Sequence, residues 1–533
     1  MKKFKPIVLV ILDGWGEWEN KQGNAIAQAN LPVIDKLDRY YPKTQLQASG
    51  MAVGLPWGVF GNSEVGHQAM GCGQIIYQFL PVITEQIESG EFFKNNILLD
   101  IVEWVKKHKS KVHFLGLVSD GSVHSHIDHL FSLLNFAQEQ QLKNVYIHAI
   151  TDGRDTPPKS AINYIQKVID KTKETGVGKI ATLSGRYYTM DRNNHWDRIE
   201  KSFAAFTEGK GIHERDPIKA IDRQYEQDIT DEYLNPVNII GDDGSPLGLI
   251  EKNDAIVCFN FRKDRSRQIT EAFSQKKFDN FKNTERPKKI KYACFVEYEK
   301  GLPVDVIFPP QEISVRLGQI LSDFHLRQLR VAETEKYAHV TYFFNGGIEK
   351  PFKGEDRIMV PSKNVSSYAK VPEMSTYEIT DKLVDAIENK RYDFIVVNYA
   401  SPDMVGHTGV LKAGIRAVEI VDGCLDRLIR AVLKKQGCLI ITADHGNIEE
   451  MINLRTGEID TEHSTNPVPC WFVTPNNHRK KPLDYPPISK IEGMLADIPA
   501  TILELLNIVK PGEMIGQSLL EVFKEKRKQV SDK

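Results

Sequence analysis

Short apolar, β-branched runs recur along this chain, and each ends in a cluster of polar residues able to do chemistry. Ile7–Leu12 runs into Asp13-Gly14, Val112–Val118 into SDGSVHSH, Val145–Ile150 into TDGRD, Ile256–Phe261 into RKDR, Phe394–Val397 into NYASPDMVGH, and Cys438–Thr442 into ADHGN. The hydrophobicity is continuous rather than alternating, which predicts strands covered on both faces, as in α/β sheets. Between the runs lie amphipathic stretches. Val418, Val421, Leu425, Leu428 and Val432 step by three and four along one face of a helix that ends at Lys434-Lys435-Gln436-Gly437. Ligands of open α/β sheets bind beyond the carboxyl ends of the strands. Asp-Gly is also an ordinary turn dipeptide, which accounts for one or two of these coincidences and poorly for the whole series.

The motifs sort by position. Residues 13–67 and 403–463 carry Asp, Ser and His in combinations that suit metal ligation, whereas 124–265 carry His, Asp and many Arg, which suit an anionic substrate. At 533 residues the chain exceeds the size of one core. The simplest architecture is a discontinuous domain, 1–76 with 311–515, interrupted by an inserted domain, 77–310. GCGQ precedes the first joint, FPPQ marks the second, and 516–533 reads as a flexible tail.

A net charge of −2 and a pI near 6.8 give no global attraction for nucleic acid or an anionic membrane, so an anionic ligand must be drawn by local clusters. The six cysteines form no CxxC, which predicts reduced thiols and a cytoplasmic protein. The N-terminal KKFKPIVLVILDGWG has the outline of a secretion signal, but its apolar run is short and ends in Asp13, with no cleavage site after it. No apolar stretch approaches the ~20 residues that span a bilayer.

Asp403 and His407 stand four apart, Asp444 and His445 are adjacent, His463 lies in TEHSTNP, and Asp13 ends the first strand. Mixed nitrogen and oxygen donors without thiolate suit manganese or zinc better than magnesium or calcium. Singly, Asp403–His407 reads equally as a surface ion pair and Asp444–His445 as a turn; the set points to a metal centre. GLPWGVFGNSEVGH holds Ser63, with Gly61 and Gly66 permitting a close backbone approach. A serine at the start of a helix lies where backbone N–H groups receive phosphate. It becomes a nucleophile only if metal lowers its pKa. In the other half, His124 and His126, Arg154 and Asp155, Arg186, Arg192, Arg262 and Arg265 follow successive strands. Planar guanidinium forks suit carboxylate and phosphate, and Asp155 is a candidate proton shuttle. Lys336, in AETEKYAHVTYFFNGG, has no clear role from pattern alone.

LVILDGWG, GLPWGVFGNSEVGH, SDGSVHSH, TDGRDTPP, SGRYYTMDR, FNFRKDR, AETEKYAHVTYFFNGG, NYASPDMVGHTG and TADHGN, in this order, resemble the cofactor-independent phosphoglycerate mutases from about residue 5 to about 515. The resemblance implies a discontinuous alkaline-phosphatase-like α/β domain with an inserted α/β mutase domain, and interconversion of 3-phosphoglycerate and 2-phosphoglycerate. It implies two Mn2+ ions, one held by Asp403, His407 and His463, the other by Asp13, Ser63, Asp444 and His445. Ser63 becomes phosphoserine. His124, Arg154, Asp155, Arg186, Arg192, Arg262, Arg265 and Lys336 hold the substrate, with Asp155 and Lys336 also catalytic. The implied partner is the small-molecule substrate alone, for a cytoplasmic monomer without nucleic acid or membrane. Phe60 stands where that family more often has methionine, and Ser401 where asparagine is commoner; neither removes a ligand. Two other readings share the metal half: a phosphopentomutase-like enzyme or phosphatase, and a metal-binding protein without turnover. Arg154–Asp155, Arg186 and Arg262 discriminate against the first, Ser63 against the second.

Overall fold

Most of the apolar runs become strands where the pattern places them. In the computed structural model, which describes residues 4–281, 284, 286–483 and 490–528, Ile7–Leu12 and Cys438–Thr442 are fully buried strands. The run at Phe394 continues as a buried strand to Tyr399. The run Ile256–Phe261 differs, because its strand is Ala255–Cys258. Beyond it the backbone leaves the ladder: Leu117 N–H donates to the Asn260 side chain and Phe261 N–H to the His124 carbonyl. The segment stays buried because these bonds replace the ladder.

The contacts divide the chain into two compact units, Met1–Gln78 with Gln311–Lys533, and Phe79–Pro310. The first is built on an eight-stranded sheet. Its strands run Glu355–Val360, Gln328–Glu333, Phe394–Tyr399, Ile7–Leu12, Cys438–Thr442, Val468–Val473, Lys43–Gln47 and Ile491–Met494 from edge to edge. Val468–Val473 is antiparallel to both neighbours, and the other pairings are parallel. The register sets Leu12 beside Tyr399 and Ile11 beside Thr442, so the central strands end at one level. The helix Leu411–Lys434 buries Val418, Val421, Leu425, Leu428 and Val432 and stops just before Gln436, whose φ of 59° is left-handed.

The second unit has its own eight-stranded sheet: Asp305–Val306, Lys291–Cys294, Ala255–Cys258, Val112–Leu117, Val145–Thr151, Lys179–Gly185, Val237–Ile239 and Ile212–Glu214. It is parallel from its first edge through Lys179–Gly185, after which Val237–Ile239 turns antiparallel. Each unit has a separate apolar core, and all six cysteines are buried free thiols.

The tail expected over 516–533 needs correction. Leu520–Lys528 is helical, and Leu519, Leu520 and Phe523 lie in the core of the first unit. The charged tract masks an apolar face that packs; 529–533 lie outside the described residues. Among the described residues no helix is long and apolar enough to cross a membrane.

Candidate functional site

Ser63 is the first residue of the helix Ser63–Cys72, and the cap belongs to Asn62, whose side chain accepts from Val65 N–H. The serine hydroxyl is therefore free for other work. A Cβ on Gly66 would stand 2.6 Å from the Asp444 carbonyl oxygen, so only glycine lets this helix lie directly on the Asp444 segment. Ser63 Oγ lies 3.2 Å from Asp13 Oδ1 and 3.0 Å from His445 Nε2, and it accepts from Lys336 Nζ at 2.8 Å.

These partners come from neighbouring strand ends. Asp13 follows Ile7–Leu12, Asp444 and His445 follow Cys438–Thr442, and Asp403 sits on the short helix Ser401–Gly406 after Phe394–Tyr399. Lys336 rises from the helix Thr334–Ala338 after Gln328–Glu333, with a π turn at His339–Phe343 behind it. Its Nζ bridges Asp13 Oδ1 at 2.7 Å and Asp403 Oδ2 at 2.6 Å. Asp403 Oδ1 faces His407 Nε2 at 3.3 Å and His463 Nε2 at 3.4 Å, and the two imidazole nitrogens are 3.1 Å apart. His445 Nε2 is 3.6 Å from both Asp13 and Asp444. Ser63, Lys336, His339, Asp403, His407 and His463 line one open cavity of about 560 Å³. Phe60 sets its ring edge against His463, and Ser401 is buried against Thr376 Oγ1.

Asp13, Asp403 and Asp444 are each buried to within 1%. Burial, then the Asp444 charge, pushes the Asp13 carboxyl above its ordinary range. Burial works against the Lys336 charge, but Asp13, Asp403 and Asp444 outweigh it and hold the proton firmly. The hydrogen bond to Asp403 raises His407; for His463 burial opposes the charge, and Asp403 prevails.

The donor set fits divalent metal. Asp403, His445 and His463 offer ligand atoms within 4.8 Å of one another, as do Asp13, His67 and Asp444. Asp444 Oδ2 is buried with only imidazole nitrogens near it, His67 Nδ1 at 3.2 Å, already turned to the Ser63 carbonyl, and His445 Nε2 at 3.6 Å. The facing His407 and His463 nitrogens need a shared proton or a shared cation. Oxygen and imidazole donors without thiolate are the chemistry of such ions.

Sequence reasoning missed the residues behind these ligands. His67 Nδ1 donates to the Ser63 carbonyl and its Nε2 accepts from Asn398, which also donates to Asp13 Oδ2 at 2.5 Å. Asn447 donates to Asp403 Oδ1 at 2.9 Å. His67 follows Ser63 by one helical turn, which was its available signal.

In the second unit, Arg186 Nη1 bonds both Asp152 Oδ1 and Asp155 Oδ2 at 2.6 Å. Asp152, also missed, accepts from Arg154 N–H, Asp155 N–H and Ser119 Oγ as well. Asp264, missed too, pairs with Arg192 at 2.8 Å and Arg262 at 3.3 Å. His124 stands 3.9 Å from Asp155 and from Asp264; burial, then Arg186, lowers its pKa to about 4, so it is neutral at pH 7. Arg265 donates to the Met190 carbonyl; burial, and then the charges of Arg186, Arg192 and Arg154, depress its pKa. Arg154 reaches Glu232 at 3.6 Å. Guanidiniums close enough to repel one another make a ready site for an anion. Lys336 belongs to the first unit, with Ser63.

Comparison with known proteins adds family to geometry. Residues 83–300 match the BPG-independent PGAM N-terminus (iPGM_N) family, and 328–480 the type I phosphodiesterase / nucleotide pyrophosphatase family. The chain is 47% identical to a 2,3-bisphosphoglycerate-independent phosphoglycerate mutase of Clostridium botulinum, over 97% of this chain and 99% of the relative. It is 46% identical, over the same shares, to that of Acetivibrio thermocellus. A crystal structure of Leishmania mexicana phosphoglycerate mutase at low cobalt concentration is similar, with TM-score 0.62, 30% identity, and 96% of this chain and 97% of that one covered.

Proposed function

We propose, for a chain that belongs to the 2,3-bisphosphoglycerate-independent phosphoglycerate mutase family, that Ser63 is the residue through which the phosphoryl group passes. The chain interconverts 3-phosphoglycerate and 2-phosphoglycerate in glycolysis, and it binds divalent metal. The observation that carries the Ser63 assignment is its hydroxyl, held by Asp13, His445 and Lys336 at the first turn of a helix.

Asp403, His407 and His463 would hold one Mn2+, and Asp13, Ser63, Asp444 and His445 a second. When bound, the two ions supply the charge that makes a serine hydroxyl nucleophilic at neutral pH and that stabilises an in-line displacement. Ser63 oxygen attacks the phosphorus of 3-phosphoglycerate and the bond to the C3 oxygen breaks; the proton that the Ser63 hydroxyl gives up is balanced by the one the C3 oxygen takes up as glycerate leaves. Lys336, fixed by two carboxylates, donates to Ser63 Oγ and neutralises charge on the transferring group. Arg262 and Arg265 grip the glycerate carboxylate. Asp155, oriented by Arg186, takes the C2 hydroxyl proton as that oxygen attacks the phosphorus of phosphoserine; the bond from phosphorus to Ser63 Oγ breaks and Ser63 Oγ is reprotonated. His124, Arg154 and Arg192 complete the anion site. Water must be kept from phosphoserine, or the product is free phosphate. The residues 1–76 and 311–515 thus carry phosphoryl transfer and 77–310 substrate recognition, in a cytoplasmic monomer.

The test is Ser63→Ala, assayed for conversion with Mn2+ and no bisphosphoglycerate. Native protein quenched during turnover should carry phosphate on the Ser63 peptide by mass spectrometry. The variant should be folded and inactive; turnover at the native rate would sink the assignment.

A further inference from the structure

A carboxylate with four hydrogen-bond donors lies near the metal-binding set and belongs to none of the residues assigned so far. Glu449 is fully buried. Its Oε2 accepts from Gly16 N–H and Asn447 N–H, each at 2.9 Å. Its Oε1 accepts from Asn466 Nδ2 at 3.0 Å and from Ser464 Oγ. Those donors lie on the segments that carry the candidate ligands. Gly16 is three residues past Asp13, Asn447 two past His445, and Ser464 adjoins His463.

The backbone is shaped around this side chain. A Cβ on Gly16 would stand 2.2 Å from Glu449 Oε1, and one on Gly446 2.3 Å from the same atom. Ser464 and Gly446 form an isolated antiparallel bridge, so the His445 and His463 segments are already paired where Glu449 meets them. Asn447, whose N–H Glu449 holds, passes the constraint on by donating its amide to Asp403 Oδ1 at 2.9 Å. One carboxylate thus reaches the segments of Asp13, His445 and His463 directly, and Asp403 through one further residue.

The four donors to Glu449 are all neutral. An ionised carboxylate buried among neutral donors costs more than an apolar side chain filling the same space. What only a two-oxygen acceptor can do is tie several separate loops at once. Groups behind a metal's own ligands set the ligands' orientation, and losing one typically weakens metal affinity 10–100-fold.

We propose that Glu449 is a positioning residue that fixes the geometry of the metal-binding side chains by clamping their loops together. The inference rests on the metal reading above and adds a residue which that reading does not include. Its role is in assembling the site, with no contact to substrate.

The experiment uses the full-length chain, stripped of metal by chelator and titrated with Mn2+ by calorimetry. Glu449→Gln keeps the shape and one acceptor oxygen but presents an NH2 group to donors. Its Mn2+ dissociation constant should rise 10–100-fold over native, while KM for 3-phosphoglycerate at saturating Mn2+ stays within about twofold. A variant that melts at a lower temperature yet binds Mn2+ as tightly as native would show a merely structural brace and overturn the proposal. Should Glu449→Gln fail to fold, Ser464→Ala removes one bond and leaves the others. It should weaken Mn2+ binding severalfold, and an unchanged constant overturns the proposal equally. A native chain that takes up no Mn2+ would overturn the metal reading itself and the clamp with it.

Discussion

Replacing Lys336 by methionine tests the electrostatics of the site more directly than removing the nucleophile. Three carboxylates, Asp13, Asp403 and Asp444, are buried together, and the ammonium of Lys336 touches two of them at 2.7 and 2.6 Å. At an effective dielectric constant of about 20, each contact is worth roughly 6 kcal/mol of gross attraction. Desolvating the ions takes back several kcal/mol apiece, and breaking such a buried arrangement leaves a net loss of about 3–5 kcal/mol. Asp13 softens the loss: burial and Asp444 already push its carboxyl up, so it can take a proton when the ammonium goes. At ~2 °C per kcal/mol for a unit of this size, the metal-free variant should melt about 6–10 °C below metal-free native protein. Divalent metal compensates the same carboxylates, so the gap should shrink when Mn2+ is added. Scanning calorimetry of the full chain, with chelator and with Mn2+, reads both. The transition that Mn2+ moves identifies the unit concerned. A chelated variant melting within about 2 °C of native would refute the view that Lys336 is the chief counter-charge of Asp13 and Asp403.

Other outcomes follow from single side chains. Burial raises Glu333 from its ordinary 4.5 to about 7. A raised folded value means that stability present below pH 4.5 is lost as pH climbs through about 7. Glu333→Gln should therefore be more stable than native at pH 8, by up to about 3 kcal/mol, with little gain at pH 4.5; equal melting differences at both pH values would contradict this. Asp152→Asn removes the charge that holds Arg186, worth about 1.5–3 kcal/mol for a charged hydrogen bond. It should lower kcat/KM for 3-phosphoglycerate about 10–100-fold while Mn2+ affinity, by calorimetry, stays native. A native kcat/KM would remove Asp152 from the substrate half.

Several candidate ligands were legible because they stand just past an apolar run, although His463 in TEHSTNP and Ser63 in GNSEVGH do not. Asp13, Asp403 and Asp444 could be found by asking which polar residues follow continuous hydrophobicity. The residues behind them were not. Asn398 opens the polar motif NYASPDMVGH, where Asp403 and His407 draw the attention; only the strand Phe394–Tyr399 sets it against His67 and Asp13. Glu449 bonds Gly16 across a sequence separation of 433, which no local pattern encodes. Asp264 in RKDR reads as a surface charge; only the fold turns it toward Arg192 and Arg262. The packing of the tail is hidden for a related reason. KEKRK dominates its composition, while the buried Leu519, Leu520 and Phe523 form too short a run to outweigh it. The strand at 256 ends before its apolar run does because Asn260 and Phe261, buried like their neighbours, leave the ladder for side-chain and loop partners.

The placing of Ile7–Leu12 between Phe394–Tyr399 and Cys438–Thr442 has a consequence for biosynthesis. The strand leaves the ribosome well before its partners, which are made about 400 residues later, roughly 20–80 s afterwards at 5–20 residues per second. Throughout that time a wholly apolar segment has neither hydrogen-bonding edge occupied. Phe79–Pro310 is continuous in sequence and has its own core, so it can finish folding during the wait. The nascent chain therefore carries a completed globule behind an unsatisfied β-strand, a state in which a holdase chaperone or a second nascent copy competes with the native neighbours for the same edges.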